Sequence, residues 1–347
     1  MQVVPSVEFP GLAILMLAWR RLTASIRSGI VMTLLRLSSA ILGLMAAALL
    51  CPSESRAWGA EGHKIIALLA ERLLQTGDPP VATKVGELLA SDKSNSWTTA
   101  DIAEEAVWAD ALREKSPEGR LATSKWHSVK LDANNPDLAK ACFGRPGLRE
   151  MMPASHGPQE DCIVDKVEQF TKELRDPSTS ATERLMALQF LLNLVGDLHD
   201  PLLTIERADQ DGRCVAVLLP GGRAPVRLSV YWGDDLVAEA EGKNPAKAAE
   251  QIAARLTAVD IRKWSGSTPE DWARESYELA KSTVYRFPAE AGGTFSFPAR
   301  KGEAESCGPV PLYRLDGAYR DRALAAVREQ LVKAGVRLTY LLRENLQ

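Results

Sequence analysis

The sequence predicts an all-α fold, a large single domain of many helices with one small β-hairpin attached. Three observations carry this expectation. Apolar residues recur every three or four positions through most of residues 60–345, only one segment alternates as strands do, and no change of composition divides the chain after residue 58. Hydrophobic residues make up 46% of the chain and charged residues 25%, which supplies a core and excludes a disordered or fibrous protein.

Helical spacing covers 60–75, 100–115, 161–176, 182–200, 245–260, 269–285 and 316–345. The exception is Arg213 to Trp232, where the runs CVAVLL and VRLSVYW flank Pro220-Gly221-Gly222 and read as a hairpin. Residues 133–160, 204–212 and 287–311 are rich in Pro, Gly and polar side chains and read as irregular connections. The sequence shows no internal repeat. Residues 58–347 therefore form one helical domain, close to the size at which a single core stops growing.

The stretch before that domain reads differently. Residues 33–50, TLLRLSSAILGLMAAALL, are apolar and are followed by the small-residue exit Ser55-Arg56-Ala57, the pattern of a signal peptide cleaved before Trp58. A permanent anchor fits less well, because the uninterrupted apolar core is short. Leu50 beside Cys51 argues against a lipidation site. Residues 1–57 thus read as leader, with 1–31 an over-extended reading frame, since Met32 opens a leader of ordinary length. The destination is periplasmic or secreted, with no stable membrane insertion after cleavage.

Of five cysteines, Cys142, Cys162, Cys214 and Cys307 remain after the leader, an even number in an oxidising compartment. Two disulfides are expected. Three pairings are open, and Cys142 with Cys162 closes the shortest loop that also spans the irregular segment 143–161. Residues 58–347 carry 37 basic and 43 acidic side chains, a net of −6. That excludes a basic nucleic-acid clamp; any phosphate binding needs a local positive source, for which bound divalent ions are the natural candidate.

Four fragments carry chemistry. Cleavage before Trp58 would create the terminus WGAEGH, in which the free α-amine and carbonyl of Trp58 can form a five-membered chelate, with His63 five residues on. An α-amine has a pKa of about 7.7–8.0, low enough for a divalent ion to displace its proton near neutrality. In FLLNLVGDLHDPL, Asn193 and Asp197 are four apart and share a helical face. A carboxylate in so apolar a run costs several kcal/mol unless paired or bound to metal. Asp110 in AVWADALR and His127 in the extended piece KWHSVKLD have the same character. Taken singly, the Trp58 terminus, Asp110 and His127 are more often structural, and Asp197 is as readily a cap or ion-pair partner; the order of all four is what points to a metal cluster. His199 lies off the face of Asp197 and just before Pro201, and His156 lies in a Gly/Pro loop, so neither is read as a ligand. Trp232, Trp264 and Trp272 read as core aromatics.

Taken together, WGAEGH, VWAD, KWH, FLLNLVGDLHDPL, YWGDDLV, EDWARESYELAKSTVY and AGVRLTYLL resemble the single-strand-specific zinc nucleases of fungi, plants and bacteria, distantly related to bacterial zinc phospholipase C. The resemblance spans nearly all of 58–347. It implies the helical fold of those enzymes, hydrolysis of phosphodiester or 3′-phosphate bonds in single-stranded DNA or RNA, and a centre of three zinc ions. Carried over by position, the implied ligands Trp58, His63, Asp110, His127 and Asp197 are present, with Asp110 and Asp197 as the catalytic acids. Asn193 stands where the family has His and contributes an amide oxygen instead. Leu203 and Ser229 also replace His, and Gly233 replaces Asp, so the position built from these three has no ligand; Asp234 and Asp235 next to Gly233 offer a register-shifted substitute. One or two zinc ions are expected rather than three. Ser128 stands where the family usually has an aromatic able to stack on a base. The rival reading is a catalytically inactive, metal-binding homologue acting as a binding protein. The resemblance names single-stranded nucleic acid or nucleotides as substrate and no protein partner.

Overall fold

Helix formation starts immediately after Trp58. The computed structural model describes residues 58–93, 97–145, 147, 152–298 and 307–346, so the leader and its cleavage signal lie outside the described residues. The chain separates into residues 1–54 and 55–347, and the helical domain belongs to the second unit.

Helix α1 (Ala60–Gly77) buries Ile65, Ile66, Leu69 and Leu74. Helix α2 (Pro79–Ala90), which the periodicity did not single out, is set by local signals: Asp78 accepts from the Val81 amide and two prolines occupy the first turn. The helix expected over 100–115 divides into α3 (Ile102–Glu105) and α4 (Trp108–Lys115). Asp101 caps the first through the Ala103 and Glu104 amides, and Val107 leaves helical geometry between them, which re-aims Asp110. Helix α5 (Pro117–Thr123) then runs into a 3-10 turn, Ser124–His127, where an extended piece was expected. A one-turn helix, α6 (Leu138–Ala141), interrupts the next connection.

The centre of the molecule is α8 (Ala181–Leu198), opened by Ser180 accepting from Glu183. Every residue from Ala187 to Leu198 is buried, as fits a helix enclosed by neighbours on all sides. Helix α7 (Ile163–Arg175) lies along it, with Phe170 stacked on Phe190 at 4.6 Å. The C-terminal helix α14 (Gly317–Asn345) packs on α1 and α8. At Gly335 it meets α1 so closely that an added Cβ would stand 2.5 Å from Leu69 Cδ2.

The expected hairpin is present and is shorter than its sequence suggests. Strands β3 (Ala216–Leu218) and β4 (Val226–Arg227) pair antiparallel, Ala216 opposite Arg227, but the second run turns helical at Leu228. Strand pairing stops there because Leu228, Ser229, Tyr231 and Trp232 are buried as helical residues. The hairpin also recruits part of the segment read as irregular. Strand β6 (Pro309–Arg314) lies parallel to β3, and β5 (Thr294–Ser296) antiparallel to β6, giving a four-stranded sheet ordered β4-β3-β6-β5. Strands β1 (Leu131–Asp132) and β2 (Ile205–Glu206) form a separate short parallel pair.

After the hairpin come α9 (Leu228–Val230), a π-helical turn at Tyr231–Asp235, and α10 (Leu236–Glu241). The helix expected over 245–260 is two, α11 (Pro245–Arg255) and α12 (Ala258–Trp264), because Thr257 forms a capping box with Asp260 and restarts the chain. Helix α13 (Pro269–Leu279) continues into a second π turn, Ala280–Val284. Trp232 and Trp272 are core aromatics, whereas Trp264 is only half-buried. The cysteines pair Cys142–Cys162 and Cys214–Cys307, the second tying the hairpin to β6. No helix among the described residues is long and apolar enough to cross a membrane.

Candidate metal centre

Four elements deliver their polar residues to one buried place. α1 brings His63, α4 brings Asp110, the 3-10 turn brings His127, and α8 brings Asn193 and Asp197; all five side chains are 2% exposed or less. Asp197 is the hub. His63 Nε2 lies 3.2 Å from its Oδ1, and His127 Nδ1 donates to its Oδ2 at 2.7 Å. Asp110 Oδ2 stands 3.9 Å from His63 Nε2 and accepts from Asn193 Nδ2 at 3.3 Å. The same Asn193 amide donates to the Ala106 carbonyl at 3.0 Å. The four-residue spacing read from the sequence places Asn193 toward Asp110 and Asp197 toward both histidines.

Trp58 joins the same cluster through its indole, which donates from Nε1 to the Gly196 carbonyl at 2.9 Å, one residue before Asp197. The two glycines of WGAEGH have steric causes. An added Cβ on Gly62 would meet Trp58 Cβ at 2.6 Å, and one on Gly59 would meet Asp234 Oδ1 at 1.9 Å. Gly196 is a third such position: its absent side chain leaves room for the His63 ring, 2.7 Å from where a Cβ would fall.

Burial alone would push the Asp197 carboxyl up. The hydrogen bonds and electrostatic attraction of the His127 and His63 rings outweigh it and hold Asp197 well below the usual carboxylate range. Asp200, one turn on, has no such partners. Burial, with Asp197 and Asp211 nearby, pushes it up to about 7, although its Oδ1 accepts from the Leu202 amide at 2.8 Å.

The donor set suits zinc: two imidazoles and two carboxylates, with Asp197 presenting one oxygen to each histidine. Two further atoms support the fit, since His127 Nε2 and Asn193 Oδ1 are buried without a hydrogen-bond partner. The cluster is open rather than a closed cage. Among the described residues, the group of three His, Cys, Asp or Glu donors that closes within 4.8 Å is Cys142, Cys162 and Asp165, and its sulfurs are consumed in a disulfide.

Leu203, Ser229 and Gly233 bring no ligand to the neighbouring position. Ser229 Oγ is buried without a hydrogen-bond partner, and Gly233 uses its carbonyl to accept from the Gly59 amide at 3.0 Å. His199 is fully buried and committed elsewhere, to the Val195 carbonyl through Nδ1 and to Arg337 through Nε2, while His156 is exposed. Burial and the Arg337 charge hold the His199 imidazole well below the usual histidine range. The sequence reading missed Arg113, which donates from Nη2 to Asp110 Oδ1 at 2.8 Å; its i,i+3 spacing from Asp110 was the available signal.

Comparison with known proteins places the chain in a family. The family model of the S1/P1 nucleases matches residues 58–347. Endonuclease 2 of Arabidopsis thaliana is 24% identical over 298 residues, covering 81% of this chain and 88% of the relative. Nuclease S1 of Aspergillus oryzae is 23% identical, covering 86% and 95% respectively. Nuclease P1 of Penicillium citrinum is 28% identical over a shorter stretch of 145 residues, 42% of this chain and 46% of the relative.

Proposed function

This chain belongs to the S1/P1 nuclease family, and from that premise we propose that it is an exported, zinc-dependent hydrolase of phosphodiester or 3′-phosphate bonds in single-stranded DNA or RNA. The observation that carries the proposal is the convergence of His63 and His127 on opposite oxygens of one buried carboxylate, Asp197. Such an acid can serve two adjoining cation positions. Cleavage before Trp58, delivery to the periplasm or beyond, and a mature domain of residues 58–347 complete the reading.

Two positions are proposed. Asp110 and His127, with the Asn193 amide oxygen, would hold one, Trp58 with His63 would hold the other, and Asp197 would serve both. When bound, zinc at such a centre supplies an acidic water near neutral pH and positive charge against the phosphate. The protein's own contribution is orientation. Arg113 fixes one oxygen of Asp110, and Asn193 tethers the other while anchored to Ala106. His127 and His63 keep Asp197 ionised despite full burial. Because residues 58–347 are net acidic, the bound ions are also what draws a polyanionic substrate to the site.

The purified protein beginning at Trp58, supplied with zinc, is expected to release acid-soluble nucleotide from single-stranded DNA or RNA. Asp197→Asn should lower that rate by about three orders of magnitude, a barrier increase of roughly 4 kcal/mol. A wild-type protein that binds zinc but releases no nucleotide would support the inactive binding homologue instead.

A further inference from the structure

Asp234 is not a ligand position carried over from the family pattern, and the structure sets it beside the other end of the domain. The π turn Tyr231–Asp235 holds one residue more than an α-helical turn, so it re-aims the side chains after it; such turns are frequent at functional sites. Here the turn directs the Gly233 carbonyl to the Gly59 amide, at 3.0 Å, and the Asp234 carboxylate to the Gly59 α-carbon. A Cβ at Gly59 would lie 1.9 Å from Asp234 Oδ1 and 3.0 Å from its Cγ, so this contact requires glycine. The residue bonded to Gly59 is Trp58, whose amine and carbonyl form the proposed terminal chelate.

Charge balance gives the contact a purpose. An uncharged amine, a carbonyl and an imidazole leave a divalent ion compensated by Asp197 alone, and Asp197 is shared with the neighbouring position. A half-buried carboxylate held at the terminus supplies a second negative charge there. Asp234 therefore does not restore the position lost with Leu203, Ser229 and Gly233.

We propose that Asp234 is an additional oxygen donor of the terminal metal seat, the second carboxylate beside Trp58, Gly59 and His63. This rests on the terminal chelate of the proposed function. The test uses protein beginning at Trp58, with zinc affinity measured by competition against a chromophoric chelator. Asp234→Asn should weaken the terminal site by about tenfold or more. The neighbouring exposed Asp235→Asn should stay within about twofold of wild type, and the zinc-free unfolding midpoint should be the same in all three. An unchanged affinity in Asp234→Asn, or a loss confined to the zinc-free midpoint, would overturn the proposal. A protein with extra residues left ahead of Trp58 separates the two claims. If that protein loses affinity while Asp234→Asn keeps it, only the role of Asp234 falls; if it binds as tightly as wild type, the chelate itself falls.

Discussion

Asp197 and Asp200 lie three residues apart, both fully buried, and their environments push them in opposite directions. Asp197 is charged because two imidazoles face it; Asp200 holds its proton up to about pH 7 because burial outweighs the single amide it accepts from. This difference sets the sign of a pH dependence. Between about pH 4, where an unfolded aspartate ionises, and about pH 7, native Asp200 keeps a proton that the unfolded chain has lost. Unfolding then releases a proton, so stability falls as pH rises through this window. Asp200→Asn keeps the oxygen that caps Leu202 and removes the titration. In zinc-free protein, the unfolding midpoint of Asp200→Asn should gain on wild type from about pH 4 to about pH 7 and level off above that. Parallel curves would show that Asp200 does not titrate there.

At the scale of elements, the centre depends on how closely α8 approaches α1. Gly196 makes that approach possible, since a methyl group there would fall 2.7 Å from His63 Nδ1. Gly196→Ala should displace the His63 ring and cost zinc affinity at the terminal position, with overpacking lowering stability by about 1–3 kcal/mol. Wild-type zinc affinity in this variant, measured by the same chelator competition, would mean that the His63 ring does not need its present place. Much of this was legible in the sequence. Helices with strong apolar periodicity were found, and the i,i+4 pair Asn193 and Asp197 indicated a polar face on a buried helix. What escaped has common physical causes. A capping box, rather than periodicity, decides the break at Thr257, the backbone of Val107 leaves helical geometry without a side-chain cap, and a π turn changes register at Tyr231 without any change in hydrophobicity. Strands β5 and β6 were hidden because the sheet is assembled from distant segments, joined by the Cys214–Cys307 disulfide. The glycines of WGAEGH could not be explained until Asp234 and the Trp58 side chain were seen beside them.

On the scale of the whole molecule, a single helical domain bears its metal residues on elements spread from the first described residue to α8, with α14 packed across the back of α1 and α8. The centre is thus a property of the closed fold, and the amino terminus is part of it only if the leader is removed at the right bond. On the proposed reading, proteolysis before Trp58 would be the event that completes the site. The Trp58 indole is already docked on Gly196, so exposing the amine requires no rearrangement of the side chain that anchors it. The most direct test is the zinc content of two otherwise identical proteins, one beginning at Trp58 and one with a short extension ahead of it. The first should retain about two zinc ions through dialysis and the second about one, the position of Asp110 and His127 alone. Equal zinc content in the two proteins would contradict the terminal chelate and the two-ion centre built on it.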